Sequence, residues 1–296
     1  MVQEDDTAGG SGVSRARPRA QKSLFAAPAG RAGQDNLRRI VARFGHESFD
    51  FLLCVYDNSR YDGDGFAGCT VRHDPAPLFW VLKEHLTPAL CRRYEYVFIW
   101  MDDLHVLDFD PARFLGILRT HHIEVAQPAL SADSIIYHPV TARQDTPIGR
   151  YTDFVEEMAF VFRGDLWERF WRLIAPDRNP WGWGYDEIAY SACRFRRMAV
   201  IDAHVIRHTR RGSYHEAARA GQKEVHERYR RFFFPRKRTI CPISDGILHR
   251  TLIAPLRLNL YFAWASLHAW PGLARLRSLL RAGRHKRAAC ASGKRP

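Results

Sequence analysis

The chain has 296 residues, 46 % of them hydrophobic and 12 % aromatic, which excludes a wholly disordered or collagen-like protein. No uncharged apolar run of about 18 residues occurs, so no transmembrane helix is expected, and the acidic start, MVQEDDTAGG, is not built like a secretory signal. The net charge of +13 is uneven: residues 205–296 carry 21 Lys and Arg against 4 Asp and Glu, so this part is either a solvated tail or meets something anionic, such as a phosphorylated substrate, acidic lipid or nucleic acid.

Residues 1–35 are rich in Gly, Ala, Ser and Arg without a period and read as a disordered tail. From Phe49 to Tyr56 an apolar run reads as a buried strand ending in the turn cluster Asp57-Asn58-Ser59. A helix follows over 77–90, with Leu78, Val81, Leu82 and Leu86 apolar. Tyr96 to Trp100 is a second buried strand running into Asp102-Asp103. Asp110-Pro111 opens a helix, Asp as N-cap and Pro at the first helical position. Strands are expected at 125–130, 134–137 and 154–162, an aromatic helix over 165–174, a helix over 185–195 and a last strand over 198–205.

This β-α-β-α rhythm predicts an α/β fold with a mainly parallel central sheet flanked by helices. Beyond residue 210 the chain turns basic, with a helix over 215–231 and an aromatic, apolar segment over 258–270. That segment is short for a bilayer span and suits either packing on the domain or a membrane interface. The expected organisation is a tail (1–35), a catalytic domain (36–210) and a basic helical C-terminal extension (211–296). The six cysteines form no C-x-x-C pair, which argues for free thiols in a reducing cytoplasm and against a zinc cluster.

Four features carry chemistry. Asp102 and Asp103 follow a buried strand directly, where open α/β sheets bind ligands, and paired carboxylates suit a hard divalent cation or simply a turn. Trp181-Gly182-Trp183-Gly184-Tyr185-Asp186-Glu187 combines two flat apolar faces, two permissive glycines and two acids at a helix start, where acids also serve as plain dipole partners. Glu156 is an acid within an apolar strand-like run and needs a partner or a ligand. His208 follows the last strand and completes a metal site if the chain returns to Asp103.

The stretch Tyr96-Val97-Phe98-Ile99-Trp100-Met101-Asp102-Asp103-Leu104 resembles the Tyr-Asp-Tyr-Ile-Phe-Leu-Trp-Asp-Glu-Asp-Leu stretch of the family known as domain of unknown function 707. Gln127-Pro128-Ala129-Leu130, Thr141-Ala142-Arg143, Val155-Glu156 with Met158-Ala159, Trp183-Gly184-Tyr185-Asp186 and the Val200-Ile201-Asp202 to His208 segment extend the resemblance over roughly 49–210. That family is similar to GT-A glycosyltransferases. The resemblance implies a GT-A-like, Rossmann-like domain and a nucleotide-diphosphate sugar as donor. It also implies a divalent metal, manganese or magnesium, held by Asp103 and His208. Asp57, Lys83, Asp102 and Arg143 are the candidate donor-binding residues; Trp181, Trp183, Gly184 and Glu187 are the candidate acceptor-binding ones, Glu187 without a counterpart in the family. Asp186 is the implied general base, with Glu156 beside it orienting acceptor hydroxyls. One departure stands out: Met101 occupies the place of the first acid of the family's metal motif.

The expected protein is thus a metal-assisted glycosyltransferase of polysaccharide biosynthesis acting on a glycan or lipid-linked acceptor. It would be cytoplasmic, with residues 205–296 facing an acidic membrane surface and no nucleic-acid partner. A catalytically silent sugar-nucleotide-binding protein is the alternative, and a basic nucleic-acid binder a more distant one.

Overall fold

The computed structural model describes residues 21–212, 216–232 and 234–269. Its core is a mixed ten-stranded sheet. In chain order the strands are β1 (Ser23–Ala29), β2 (Phe49–Val55), β3 (Thr70–His73), β4 (Tyr96–Trp100), β5 (Leu104–Val106), β6 (Val125–Leu130), β7 (Arg150–Thr152), β8 (Ala159–Arg163), β9 (Met198–His208) and β10 (Thr239–Pro242). The helices are α1 (Gln34–Phe44), α2 (Leu78–His85), α3 (Pro88–Cys91), α4 (Pro111–Thr120), α5 (Trp167–Trp171), α6 (Tyr185–Ala192), α7 (Glu216–Arg228) and α8 (Ala254–Ala269). The strand order is β10-β7-β9-β6-β8-β4-β1-β2-β3, with β5 paired to β9 off this path. Strands β4, β1, β2 and β3 are parallel, as are β6 and β9, whereas β8 lies antiparallel between β4 and β6 and β7 and β10 are antiparallel.

Strand β1 corrects the expected tail. Within the described part of that segment, 21–35, the chain already forms the strand between β2 and β4 and the start of α1. Its sequence, SLFAAPA, lies buried on both faces, so it has no need of alternation. Phe25, Ala27 and Ala29 join one core layer, with Leu37, Ile40 and Phe44 of α1 and with Phe98 and Trp100 of β4. Leu24 and Ala26 join the other, with Phe79, Phe160, Trp167 and Tyr185. Small residues let the two layers approach this strand closely.

Other elements shift for visible reasons. The 77–90 helix breaks after His85, and Thr87 caps a new turn by accepting from the Leu90 amide at 3.2 Å. Asp110 is the N-cap of α4, accepting from the Ala112 and Arg113 amides. Residues 134–137 form a loop, not a strand, and strand β8 begins only at Ala159. Nor is 211–269 a separate extension: β10 adds an antiparallel strand to β7, Val225 of α7 is fully buried, and Leu258 of α8 enters the core. Among the described residues no helix is long and apolar enough to cross a membrane.

Candidate active site

The sheet changes direction of build at β1, with β2 and β3 on one side and β4 on the other, and ligands of such sheets sit at the carboxyl ends of these strands. A cavity of about 940 Å³ opens there. It runs from Tyr56 and Asp102 past Asp103 and His208 to Glu156 and Asp186, and Trp181, Trp183 and Gly184 form part of its wall.

Asp102 and Asp103 leave β4 in different roles. Asp102 Oδ2 accepts from the Gly30 amide at 3.1 Å and the Tyr56 hydroxyl at 3.2 Å, and its Oδ1 is paired with the Arg210 guanidinium. Asn36 donates to the Asp102 carbonyl at 3.0 Å. Asp102 therefore ties the ends of β1, β2 and β4 together; burial raises its pKa, with Arg210 opposing and Asp103 adding to the rise. Glycine is required beside it: a Cβ at Gly33 would lie 2.4 Å from Asp102 Oδ2, and one at Gly30 would lie 2.1 Å from the Tyr56 hydroxyl oxygen.

Asp103 faces His208. Leu104 pairs with His208 across β5 and β9, and the Asp103 carbonyl accepts from Thr209, so the Asp103 Oδ2 to His208 Nε2 distance is 3.4 Å. His208 Nδ1 lies 2.9 Å from the Ile135 carbonyl and donates to it, which leaves Nε2 facing Asp103 in the cavity. Burial lowers the His208 pKa, but hydrogen bonds to Asp103 and Ile135 and the nearby carboxylates outweigh it and leave the imidazole raised. Asp103 Oδ1 is buried without a partner. An orphan carboxylate oxygen and an imidazole whose Nε2 faces it, once that nitrogen gives up its proton, fit a divalent cation, the remaining positions falling to ligand oxygens and water. No cluster of three or more His, Cys, Asp or Glu placed to hold a metal occurs among the described residues. Arg210 Nε approaches Asp103 Oδ2 to 3.6 Å, so a cationic side chain already borders the pair.

The other end of the cavity gathers acids. The segment before β8 loops out, and the Glu156 amide donates to Gln127 Oε1 at 2.6 Å. Glu156 Oε2 and Glu157 Oε2 are both buried without partners. Burial, then the charge of Asp186, pushes Glu156 up to about 8. Burial and the surrounding carboxylates raise Glu157 well above its ordinary value. Asp186 is raised too, by burial first and then by Glu187, so the helix start does not hold it at the low value its dipole alone would give. Neighbouring His138, 4.0 Å from Glu156 Oε1, is lowered to about 4 by burial and by Lys237 and stays neutral. Glu187 differs: its two oxygens are taken by Lys237 at 2.7 Å and by His226, which hold its pKa below the usual value against burial.

The Trp-Gly loop is fixed from behind. Buried Asn179 accepts from the Gly182 amide and donates to the Trp183 carbonyl, both at 3.0 Å. Gly182 and Gly184 take φ of +89° and +94°, and a Cβ at Gly182 would lie 1.8 Å from the Phe79 ring. This holds Trp181 and Trp183 at the cavity wall.

Of the twelve site residues expected from the sequence, ten line the cavity or the pocket beside it. Asp102, Asp103, Glu156, Trp181, Trp183, Gly184, Asp186, Glu187 and His208 share the cavity. Asp57 lies in a smaller adjoining pocket of about 390 Å³ that shares Tyr56 and Pro75 with the main one; it accepts from the Arg31 amide and from Ser59. Lys83 does not reach the site: it donates to the Trp171 carbonyl at 2.8 Å and sits 3.5 Å from the Trp171 ring centroid. Arg143 is exposed and does not line the cavity. Sequence reasoning missed Gly30, Gly33, Tyr56, His138, Glu157, Arg210 and Lys237. The Gly-x-x-Gly after β1 and the second acid beside Glu156 were the available signals.

The sheet order, with its crevice at β1 and β4, is that of a GT-A type fold. The solved structure of GalNAc-T7 with UDP, GalNAc and Mn2+ superposes with a TM-score of 0.52 over 81 % of this chain at 10 % identity. The chain spans about half of that protein, 54 %. S. aureus TarS 1-349 in complex with UDP-GlcNAc gives 0.45, at 11 % identity over 82 % of this chain and 73 % of that one. The likeness to GalNAc-T7 at this identity shows a shared fold. Residues 10–152 match the sequence model of the family described as Protein of unknown function (DUF707), which takes in Asp57, Asp102 and Asp103 and stops short of Glu156, Asp186 and His208. No curated protein matches the chain by sequence.

Proposed function

We propose that the protein is a glycosyltransferase that moves a sugar from a nucleotide-diphosphate donor to a hydroxyl of a glycan or lipid-linked acceptor. The observation that carries this reading is one cavity joining the Asp103–His208 pair to a set of acids with raised pKa. The donor's base would lie at the ends of β1 to β3, near Tyr56 and the pocket of Asp57. Arg210, Arg211 and Arg219 border the same cavity and would face the diphosphate. Asp103 and His208 would hold manganese or magnesium, which when bound offsets the charge of the departing nucleotide.

Asp186 would take the proton of the attacking hydroxyl. A carboxylate with a raised pKa is a better base near neutral pH than an ordinary one. Glu156, protonated at neutral pH by its value of about 8, would donate a hydrogen bond to an acceptor oxygen. Trp181 and Trp183 would offer flat faces to the acceptor sugar. Glu187, committed to Lys237 and His226, would position this wall and not touch the acceptor.

A second reading, sugar-nucleotide binding without transfer, is favoured by Met101 in place of a motif acid and by Arg210 lying against both Asp102 and Asp103. Calorimetric titration of UDP, GDP and their sugars, with and without Mn2+, tests the proposal. Metal-dependent binding that disappears in Asp103→Ala supports the site. Product release from the bound donor separates transfer from silent binding.

A further inference from the structure

We infer that the outer face of α8 docks the protein on an anionic lipid bilayer; this does not rest on the catalytic reading. The helix has two apolar faces. Ala254, Leu258 and Ala265 are buried against the domain, and Tyr261 and Phe262 pack on the core beside them. On the other side Leu256, Leu260 and Leu267, with Leu252 in the preceding π-turn (His249–Ile253), are between 54 and 61 % exposed. Their spacings of four, four and seven residues align them on one face. Ile247 and Leu248, also exposed, prolong the patch. A helix apolar all round is ordinarily enclosed, and a run of large exposed aliphatic side chains marks a contact surface where a lone one does not.

The charge beside the patch selects the occupant. Among the described residues, 246–269 hold Arg250 and Arg257 and no Asp or Glu. Arg236 and Arg238 lie 4.7 and 5.1 Å from the ring centroid of Trp264. A second copy of this chain would bring one basic surface against another, which opposes association. An anionic bilayer satisfies both features: leucines enter the acyl boundary, aromatic and basic side chains sit at headgroup level. The helix is also coupled to the cavity wall. Tyr261 is hydrogen-bonded to Asp153, which accepts from the Arg236 and Arg238 amides, and Lys237 between them reaches Glu187.

The test is co-sedimentation of the full chain with vesicles of phosphatidylcholine alone and of phosphatidylcholine mixed with phosphatidylglycerol. The protein should bind the mixed vesicles at low salt and be released as salt screens the charges. Leu256→Ser with Leu260→Ser should weaken binding about 10-fold or more at an unchanged melting temperature. Leu267→Ser, on the same face, should act in the same direction and serves if the double variant melts early. Absence of binding to the mixed vesicles at low salt would overturn the proposal. So would wild-type binding by the folded variants. A dimer in sedimentation equilibrium that the leucine variants dissolve would assign the face to a second copy instead.

Discussion

Leu104 and His208 are opposite one another across β5 and β9, and this single register places His208 Nε2 3.4 Å from Asp103 Oδ2 although 105 positions separate the two in sequence. A one-residue slip would turn His208 to the other face of the sheet. The ladder therefore does for this pair what sequence neighbourhood does for Asp102 and Asp103.

Asp103→Ala and His208→Ala should each abolish or strongly weaken Mn2+ binding; Asp103→Ala gives up only the longer contacts of Oδ2 to His208 and Arg210, since Oδ1 has no internal partner, and a folded variant is confirmed by its melting curve. Calorimetric titration of Mn2+ against the wild type and both variants checks this. Asp102→Ala should instead lower the melting temperature, since it frees Gly30, Tyr56 and Arg210 at once.

Glu156 makes stability depend on pH in a definite direction. Its folded-state pKa is raised to about 8 from an ordinary 4.5, so between these values the folded protein holds a proton that the unfolded chain has given up. This contribution to stability is greatest below about pH 4.5 and falls as pH rises towards 8. Glu156→Gln should flatten that part of the curve, and melting temperatures recorded across the interval measure it.

Arg150 and Asp202 form an ion pair with both side chains essentially inaccessible. Asp202 also accepts from the Gln144 amide and Thr146, and Arg150 donates to the Val140 and Ala142 carbonyls. Asp202→Ala leaves an unpaired buried guanidinium and should cost about 3–5 kcal/mol. Urea unfolding would register it as a lower midpoint with an unchanged slope.

Glu187→Gln should act on stability more than on chemistry. It weakens the bonds to Lys237 and His226, at about 2 kcal/mol, and should leave turnover near that of the wild type. Melting curves and initial rates on the same preparation distinguish the two effects.

The site was legible where local chemistry announces it. Strand β4 is a fully apolar run that ends in two acids, and Asp110-Pro111 is a helix start by side-chain chemistry alone. Strand β1 was not, because Ser, Ala and Pro in a strand buried on both faces look like a flexible tail. Lys83 shows a different limit: the family resemblance suggested a donor-binding role, and only the fold reveals Trp171 as its partner. The run over 154–162 had the composition of one strand. The chain leaves the sheet at 154–158 instead, which lets Glu156 and Glu157 meet Asp186. Arg210 was visible as a basic residue, but its pairing with Asp102 depends on the β5–β9 ladder.

The most direct test of transfer is release of nucleoside diphosphate from a nucleotide sugar that binds, measured for the wild type and for Asp186→Asn at saturating donor with acceptor present. Asparagine keeps the shape but cannot take the hydroxyl proton. Turnover should be lower by about 10²-fold or more, with donor affinity unchanged. Near-normal turnover of a folded Asp186→Asn protein would contradict Asp186 as the base.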